Sequence, residues 1–320
     1  MKTKTTALRP HLLAHTFGAA MTLGVAMLAT APAAHAGPDL LGYDLPAEGI
    51  LLEGIGFDKT RDTIYVSGVN DGGRIYRGRI GIEALEVWLP AGADGRTTAR
   101  GIDTDDMGRV YIAGGPTARL WVVSPDGTTL ASLTTPEGTF LNDVWVAPDG
   151  AAYFTDSNQP KIWRVAQGTG GVWEATLWLD ATGTIPVVIP GFNLGGIVAT
   201  PGGRYLLVSQ GTTGRLWRID LATKEVVQVD LGDTLITNAD GIVLRGRKLW
   251  VVQNFSRQIT ELKLSGDWTS GEVESVTPTP ANRTFTTAKI AHGRLLAVDS
   301  QFGFPGPYAA QDRVVELKVP

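Results

Sequence analysis

The chain has 320 residues, a formal net charge of −4 at pH 7 and no cysteine. The lack of cysteine excludes disulfides, thiolate metal sites, a lipoprotein anchor and cysteine catalysis. The acidic balance, with no basic run interleaved with aromatic residues, argues against a nucleic-acid partner.

Residues 1–36 predict a secretory signal peptide. Lys2, Lys4 and Arg9 form a charged start, an apolar stretch covers residues 17–30, and Ala34-His35-Ala36 is a small-x-small cleavage pattern. A membrane anchor is the alternative, but the apolar run is too short and too rich in Gly and Ala to span a bilayer. We therefore expect a secreted protein, extracellular or periplasmic, with no membrane anchor after cleavage.

Residues 37–320 contain a repeat of about 47 residues, which we interpret as a single domain. Each unit begins with a short apolar run, passes a Gly/Asp/Pro turn, and continues through a β-branched second run and a third run such as "RLWR" to a weaker fourth. This pattern predicts an all-β, six-bladed β-propeller with four antiparallel strands in each blade. The six units start at Glu53-Gly54-Ile55, Arg100-Gly101-Ile102, Asn142-Asp143-Val144, Gly195-Gly196-Ile197, Asp240-Gly241-Ile242 and Ala288-Lys289-Ile290.

The last unit stops after its third strand, "DRVVELKVP". The segment "LLGYDLP" at residues 40–46 is similar to the fourth strand "LEVWLP" of the first unit. We therefore predict that the N-terminal strand completes the last blade, which would leave no open sheet edge. A propeller closed in this way needs no partner for stability, so we expect a monomer.

In such a blade, residues before the first strand and after the second strand converge on one mouth of the central channel. The first set comprises Glu53, Arg100, Asn142, Asp143, Asn193, Asp240 and Thr287, and the second includes Asp156, Gln253 and Asp299. His292 lies in a first turn, on the opposite face, and it is the only histidine after residue 36. A histidine base and a Ser-His-Asp triad are therefore not expected.

Glu53, Asn142, Asn193 and Asp240 would bring two carboxylates and two amide oxygens together from four blades. A ligand set made only of oxygen suits one divalent cation, Ca²⁺ first and Mg²⁺ or Mn²⁺ less specifically. The alternative is that these side chains cap strand ends and satisfy backbone donors near the channel.

Four segments carry a resemblance to a known family. They are "EGIGFD" at Glu53, "LNDVWVAPDGAAYFTDS" at Leu141, "GFNLGGIVATPGGRYLLVSQ" at Gly191 and "ADGIVLRGRKLWVVQN" at Ala239. In order and at blade spacing they resemble the senescence-marker-protein/gluconolactonase/regucalcin family. The resemblance implies a six-bladed propeller with one catalytic divalent ion, usually calcium, in the channel.

Residue by residue, the resemblance implies metal ligands at Glu53, Asn142 and Asp240, although Ile55 replaces the usual proline of the first motif. The family's fourth-blade asparagine stands directly before a Gly-Ile or Gly-Leu pair. That position is Gly195 here, and the nearest asparagine is Asn193. A shift of two residues moves the amide by about 6–7 Å, so we expect Asn193 to reach the ion only if the loop bulges.

The predicted function is metal-dependent hydrolysis of a lactone or related ester, a small-molecule substrate. Asp240 would be both ligand and catalytic base or nucleophile, with Arg100, Asp156, Gln253 and Asp299 contacting the substrate. For Arg100 the alternative is an ion pair with a channel acid. The alternative for the whole protein is a non-catalytic propeller that binds a small molecule, sugar or peptide. A propeller lyase is a third possibility, but it would need a histidine base.

Overall fold

The computed structural model of the protein describes residues 42–304 and 313–317. They belong to a compact unit that runs from Leu40 to Pro320. The predicted signal peptide, residues 1–36, lies outside the described residues and stays a prediction. In the part of the chain that is described, no helix is long and apolar enough to cross a membrane.

Strands dominate the described residues, and the helical element is a short 3₁₀ turn at Ala93–Gly95. The strands in chain order are β1 (Gly42–Asp44), β2 (Leu52–Asp58), β3 (Thr63–Gly68), β4 (Ile75–Arg79), β5 (Glu86–Leu89), β6 (Ile102–Thr104), β7 (Val110–Ala113), β8 (Arg119–Val123), β9 (Thr129–Thr134), β10 (Leu141–Val146), β11 (Ala152–Asp156), β12 (Lys161–Gln167), β13 (Trp173–Asp180), β14 (Leu194–Ala199), β15 (Tyr205–Gln210), β16 (Arg215–Asp220), β17 (Val226–Gln228), β18 (Ala239–Arg245), β19 (Lys248–Gln253), β20 (Gln258–Leu264), β21 (Gly271–Pro278), β22 (Thr284–Ala291), β23 (Arg294–Ser300) and β24 (Arg313–Leu317).

Within residues 42–304 and 313–317, the strands form six antiparallel sheets of four strands each. Blades 1 to 5 each use four consecutive strands, starting from β2, β6, β10, β14 and β18. The six innermost strands contact one another in a closed ring, since β2 touches both β6 and β22. The six-bladed, all-β propeller predicted from the repeat is confirmed.

Blade 6 contains β22, β23 and β24, and its outermost strand is β1. Gly42 pairs with Val315 and Asp44 with Arg313. The buried Tyr43 hydroxyl donates a hydrogen bond of 2.7 Å to Glu316 Oε1. The predicted closure by the N-terminal strand is therefore present.

The core lies between neighbouring blades. Six apolar clusters are found among the described residues, and each combines strands of two adjacent blades. Strands near the channel are buried on both faces, whereas an outer strand such as β21 is mostly exposed. The continuous apolar second runs of the sequence reflect this burial.

A bulge interrupts the innermost strand of five blades. The register between first and second strands shifts between Leu52 and Ile55 in blade 1, and at the equivalent place in blades 3, 4, 5 and 6. A β-bulge leaves extra residues unpaired and turns their side chains away from the regular alternation. Four of the six predicted unit starts, those at Glu53, Asn142, Gly195 and Asp240, are these bulges. In blade 6 the bulge is at Thr286 and Thr287, two residues before the predicted start at Ala288.

Glycine at the second bulge position allows the inner strands to approach closely. A Cβ added to Gly196 would lie 2.5 Å from the Asp240 carbonyl oxygen of the next blade. A Cβ on Gly54 would overlap the Arg100 carbonyl in the same way. The x-Gly pairs of the repeat thus set the diameter of the ring.

Candidate active site at the channel mouth

A cavity of about 240 Å³ opens at one mouth of the channel. The residue at the first bulge position of each bulged blade lines it, together with Arg100 of blade 2. These lining residues are Glu53, Arg100, Asn142, Gly195, Asp240 and Thr286. Glu53, Arg100, Asn142 and Asp240, four of the predicted site residues, therefore share one cavity.

The second bulge residues lie elsewhere. Asp143 and Thr287 line a separate cavity further along the channel, which also contains Lys289. Burial raises the pKa of Asp143 to about 6, against the opposing charge of Lys289. The expectation that Asp143 and Thr287 belong to the mouth is wrong, because the bulge sends neighbouring residues in different directions.

Glu53 is buried at the base of the mouth cavity. Its Oε2 has no hydrogen-bond partner among the described residues. Burial is the main cause that raises the pKa of this carboxyl well above its ordinary value. The charges of Asp240 and Asp143 raise it further, and Arg100 opposes them. A buried carboxylate oxygen without a partner is costly, and a cation would satisfy it.

Asp240 accepts a hydrogen bond of 2.8 Å from Asn254 Nδ2 to its Oδ2. Burial raises the pKa of Asp240 to about 7, although the Asn254 bond and the charge of Arg100 lower it. The group therefore exchanges its proton near neutral pH when no cation is present. Asn254 fixes the carboxylate plane and leaves the second oxygen to the cavity.

Asn142 is held through its amide nitrogen, which donates 2.7 Å to Ser157 Oγ. Ser157 Oγ in turn donates 2.7 Å to the Leu194 carbonyl, so the serine is oriented as an acceptor for Asn142. No hydrogen bond to the Asn142 side-chain oxygen occurs within the described residues. This oxygen is the group that Asn142 can offer to a ligand.

Gly195 occupies the equivalent position in blade 4 and contributes no side chain. A Cβ built there would lie 3.1 Å from Ser209 Oγ. Two carboxylates and one amide oxygen thus come from blades 1, 3 and 5, and no cluster of three Asp, Glu or His side chains occurs in the described parts of the chain. The unpartnered Glu53 Oε2 and the oxygen-only set fit a hard divalent cation, which Glu53, Asn142 and Asp240 would hold.

Arg100 reaches the same cavity between two aromatic rings. Its guanidinium carbon lies 5.5 Å from the ring centre of Phe140 and 5.7 Å from that of Phe302. Its Nε is buried without a hydrogen-bond partner, and no carboxylate of residues 42–304 or 313–317 forms a salt bridge with it. Among the described residues, Arg100 thus acts on Glu53 and Asp240 through its charge and forms no salt bridge with a channel acid.

Four phenylalanines form the wall of the cavity, and sequence reasoning missed them. Phe140 and Phe192 precede first strands, while Phe255 and Phe302 follow second strands. The rings of Phe140 and Phe192 meet edge to face, with centroids 5.7 Å apart. The rule that located the polar residues also locates these four, but it was applied to polar side chains alone.

Asn193, predicted to reach the ion only if its loop bulges, does not line the cavity. Its side-chain oxygen accepts a 2.9 Å hydrogen bond from the Val188 amide. Its nitrogen donates to the carbonyls of Ser157, Asn158 and Val188. The amide is fully used in holding the loop before β14.

The other three predicted contacts also have structural partners. Asp156 accepts backbone hydrogen bonds from Phe140 and Asn158. The amide of Gln253 donates to the Thr237 carbonyl and accepts from Thr260 and Gln258. Asp299 pairs with Arg283 at 2.6 Å. These residues support the loops around the mouth and are not part of the cavity wall.

His292 lies in the turn between β22 and β23. Its Nε2 is 2.6 Å from Asp62 Oδ1, in the turn between β2 and β3. Both turns are at the far end of their inner strands from the mouth. The prediction that histidine is remote from the site agrees with this placement.

No family model and no curated protein sequence matches the chain. Solved structures do. A gluconolactonase from Xanthomonas campestris matches with a TM-score of 0.60 and 20% identity, over 87% of this chain and 89% of that one. The chain has the six-bladed propeller fold of the gluconolactonase-like proteins.

The same fold is found in proteins with other names. The major allergen Mala s 1 of Malassezia sympodialis matches with a TM-score of 0.64 and 15% identity, over 88% of this chain and 96% of its own. A virginiamycin B lyase from Staphylococcus aureus matches with a TM-score of 0.55 and 14% identity, over 88% and 99%. At such identities the likeness concerns the fold, and function has to be argued from the site.

Proposed function

We propose that the protein is a secreted, metal-dependent hydrolase of a lactone or related ester. The observation that carries this proposal is the buried, unpartnered Glu53 Oε2 in the same cavity as Asp240 and Asn142. The charge of Asp240 raises the proton affinity of Glu53, and a cation between the two carboxylates would relieve this repulsion. Secretion rests on residues 1–36.

Glu53, Asn142 and Asp240 would hold one divalent cation, with Ca²⁺ first and Mg²⁺ or Mn²⁺ as alternatives. When bound, such an ion supplies Lewis-acid polarisation of an ester carbonyl. Asp240, held by Asn254, would act in its deprotonated form once the cation is bound, as ligand and as catalytic base or nucleophile. Arg100 is placed to donate hydrogen bonds to developing negative charge.

Calorimetric titration of chelator-treated protein with calcium is the first test. We expect saturable binding with one site, lost in Glu53→Gln and unchanged in the control Asp62→Asn, a carboxylate at the opposite end of blade 1. No binding at millimolar calcium would remove the metal from the proposal. A lactone panel then compares wild type with Asp240→Asn, and equal turnover would exclude a chemical role for Asp240.

Gly195→Asn tests the missing fourth side chain. The nearest atoms to a Cβ at this position are the Ser209 hydroxyl at 3.1 Å and the Ala239 carbonyl oxygen at 3.4 Å, so an asparagine can enter the cavity with a small adjustment. We expect tighter calcium binding, because one more oxygen replaces water. Weaker binding would mean that the open space beside Gly195 is needed by the ligand.

A non-catalytic binding propeller is the second candidate. The described residues contain no group of three acidic or histidine side chains that could hold a metal ion, and Gly195 leaves one side of the ring without a ligand. In that case small molecules would bind in the cavity and the lactone panel would give no turnover with calcium present. Ligand binding without turnover by wild type distinguishes this candidate from the hydrolase.

A further inference from the structure

The wall of the mouth cavity is apolar, and we call its four phenylalanines, Phe140, Phe192, Phe255 and Phe302, the aromatic collar. The polar groups of the site lie at its base, and the collar surrounds the opening. Phe192 and Phe255 are 53% and 54% exposed. Large side chains kept in solvent around a cavity mark a surface that contacts an apolar ligand.

The polar side chains beside the collar already have partners. Asn254 donates to Asp240, Asn238 donates 3.0 Å to Ser256 Oγ, and Thr212 Oγ1 accepts 2.8 Å from the Phe192 amide. Those hydroxyls of a ligand that face the phenyl rings would gain no hydrogen bond from them. Their burial is unfavourable, so the wall discriminates against polyols.

The apolar surface continues outside the cavity. The segment that leads to Phe192 exposes Ile189, which is 78% accessible, and Leu235, in the segment before β18, is 62% accessible. The hydrogen bond from the Phe192 amide to Thr212 holds Phe192 against the turn after β15. Gly214 of this turn packs closely on Leu235, since a Cβ added to Gly214 would lie 3.0 Å from Leu235 Cβ. Phe192, Ile189 and Leu235 therefore extend the collar outward on one side.

We propose that the site takes lactones or esters that carry an apolar aryl or alkyl substituent, and that it disfavours sugar lactones. As a statement about the substrate this rests on the proposed function. The ester group would lie at the base, near Asp240 and Arg100, and the substituent would pack on the collar and extend toward Ile189. Phe192 and Phe255 are then residues that determine specificity.

The test is a series of γ-lactones with growing alkyl chains, compared with glucono-δ-lactone, on the calcium-loaded protein. We expect kcat/KM to rise about fourfold for each methylene that enters the collar, until the chain passes beyond it. Phe192→Ala and Phe255→Ala should each lower the ratio of long-chain to short-chain kcat/KM by at least about tenfold. Leu177→Ala, on outer strand β13 and 45% exposed, is the matched control and should leave this ratio unchanged.

A binding measurement separates this inference from the proposed function. Alkyl cyclopentanones have the ring shape of the lactones but no ester bond, and their calorimetric affinity should rise with chain length. If the cyclopentanones bind in this way and no lactone is hydrolysed, the hydrolase proposal fails, but the inference that the site takes ligands with an apolar substituent is supported. If glucono-δ-lactone is turned over at least as well as the alkyl lactones, or the dependence on chain length is flat in both assays, the inference is overturned.

Discussion

Asp240→Asn should make the metal-free protein more stable at alkaline pH, with no gain in acid. Burial raises the pKa of Asp240 from 3.8 to about 7. A carboxyl with a higher pKa in the folded state binds more protons there than in the unfolded chain. Between these two pKa values, rising pH therefore lowers the free energy of unfolding. Asparagine has no charge to bury, so its side chain avoids this loss.

The structure gives the size of the effect. A difference of about 3 pH units, at about 1.4 kcal/mol for each, corresponds to ~4 kcal/mol. Water in the open cavity screens part of this, so we expect a gain of ~1–3 kcal/mol at about pH 8. The Asn254 contact need not be lost, because the oxygen of the new amide can still accept a hydrogen bond from Asn254 Nδ2.

Urea unfolding in chelating buffer, from about pH 4.5 to about pH 8.5, measures this. Asp58→Asn is the matched control with the opposite sign. Asp58 is also buried, and burial alone would raise its pKa, but hydrogen bonds from Thr60 and Arg61 outweigh burial and lower it. Asp58→Asn should be less stable than wild type by a constant amount from about pH 4.5 upward, because the ionised Asp58 makes its full contribution above its unfolded pKa. Equal free energies of unfolding for Asp240→Asn and wild type at every pH would refute the conclusion that the buried Asp240 charge destabilises the folded protein.

Three further predictions concern the same ring. Calcium binding at about pH 6.5 should release on the order of one to two protons for each ion, because the carboxyls of Asp240 and Glu53 must both be deprotonated to bind it, and fewer protons at higher pH; calorimetry in buffers of different ionisation enthalpy measures this. Gly196→Ala should lower the free energy of unfolding by ~2–4 kcal/mol, because the new Cβ would clash with the Asp240 carbonyl. Gly183→Ala, which has open space around its Cβ, is the control and should leave the free energy of unfolding unchanged in the same urea titration. Tyr43→Phe should lower the free energy of unfolding, measured with urea, by ~1–2 kcal/mol. The Tyr43 hydroxyl donates a hydrogen bond to Glu316 and accepts one of 3.1 Å from the Gly81 amide, and both are lost. No change would mean that this contact between β1 and β24 contributes nothing to stability.

The period of the repeat and its turns were enough to predict the fold, because each blade repeats the same order of buried strands and exposed turns. The site followed only in part. Glu53, Asn142 and Asp240 were found because they hold the same place in three units. Asp143 was misplaced because a bulge decides, within one residue, which way a side chain points, and this is a property of the paired backbone.

Asn193 shows a different limit. Its residue type suits a metal site, and its distance from the strand is small, but its amide is consumed by backbone groups of residues 157, 158 and 188. Those partners come from a loop and from another blade, so no local sequence pattern around Asn193 predicts these hydrogen bonds. The aromatic collar was missed for a different reason. Its residues occupy the positions that the sequence assigned to the channel mouth, but only polar side chains at those positions were considered.

The closure of blade 6 has a consequence for the order of assembly. Tyr43 and Glu316 are 273 residues apart, and bringing such distant segments together costs ~5 kcal/mol in chain entropy. The hydrogen bond of 2.8 Å from Thr286 Oγ1 to the Glu53 carbonyl crosses the same junction between blades 6 and 1. The cavity is therefore incomplete in any intermediate whose ring is still open, and a compound that occupies it should slow the reopening of that junction. Inhibitor or substrate binding would then be a direct reporter of the final folding step.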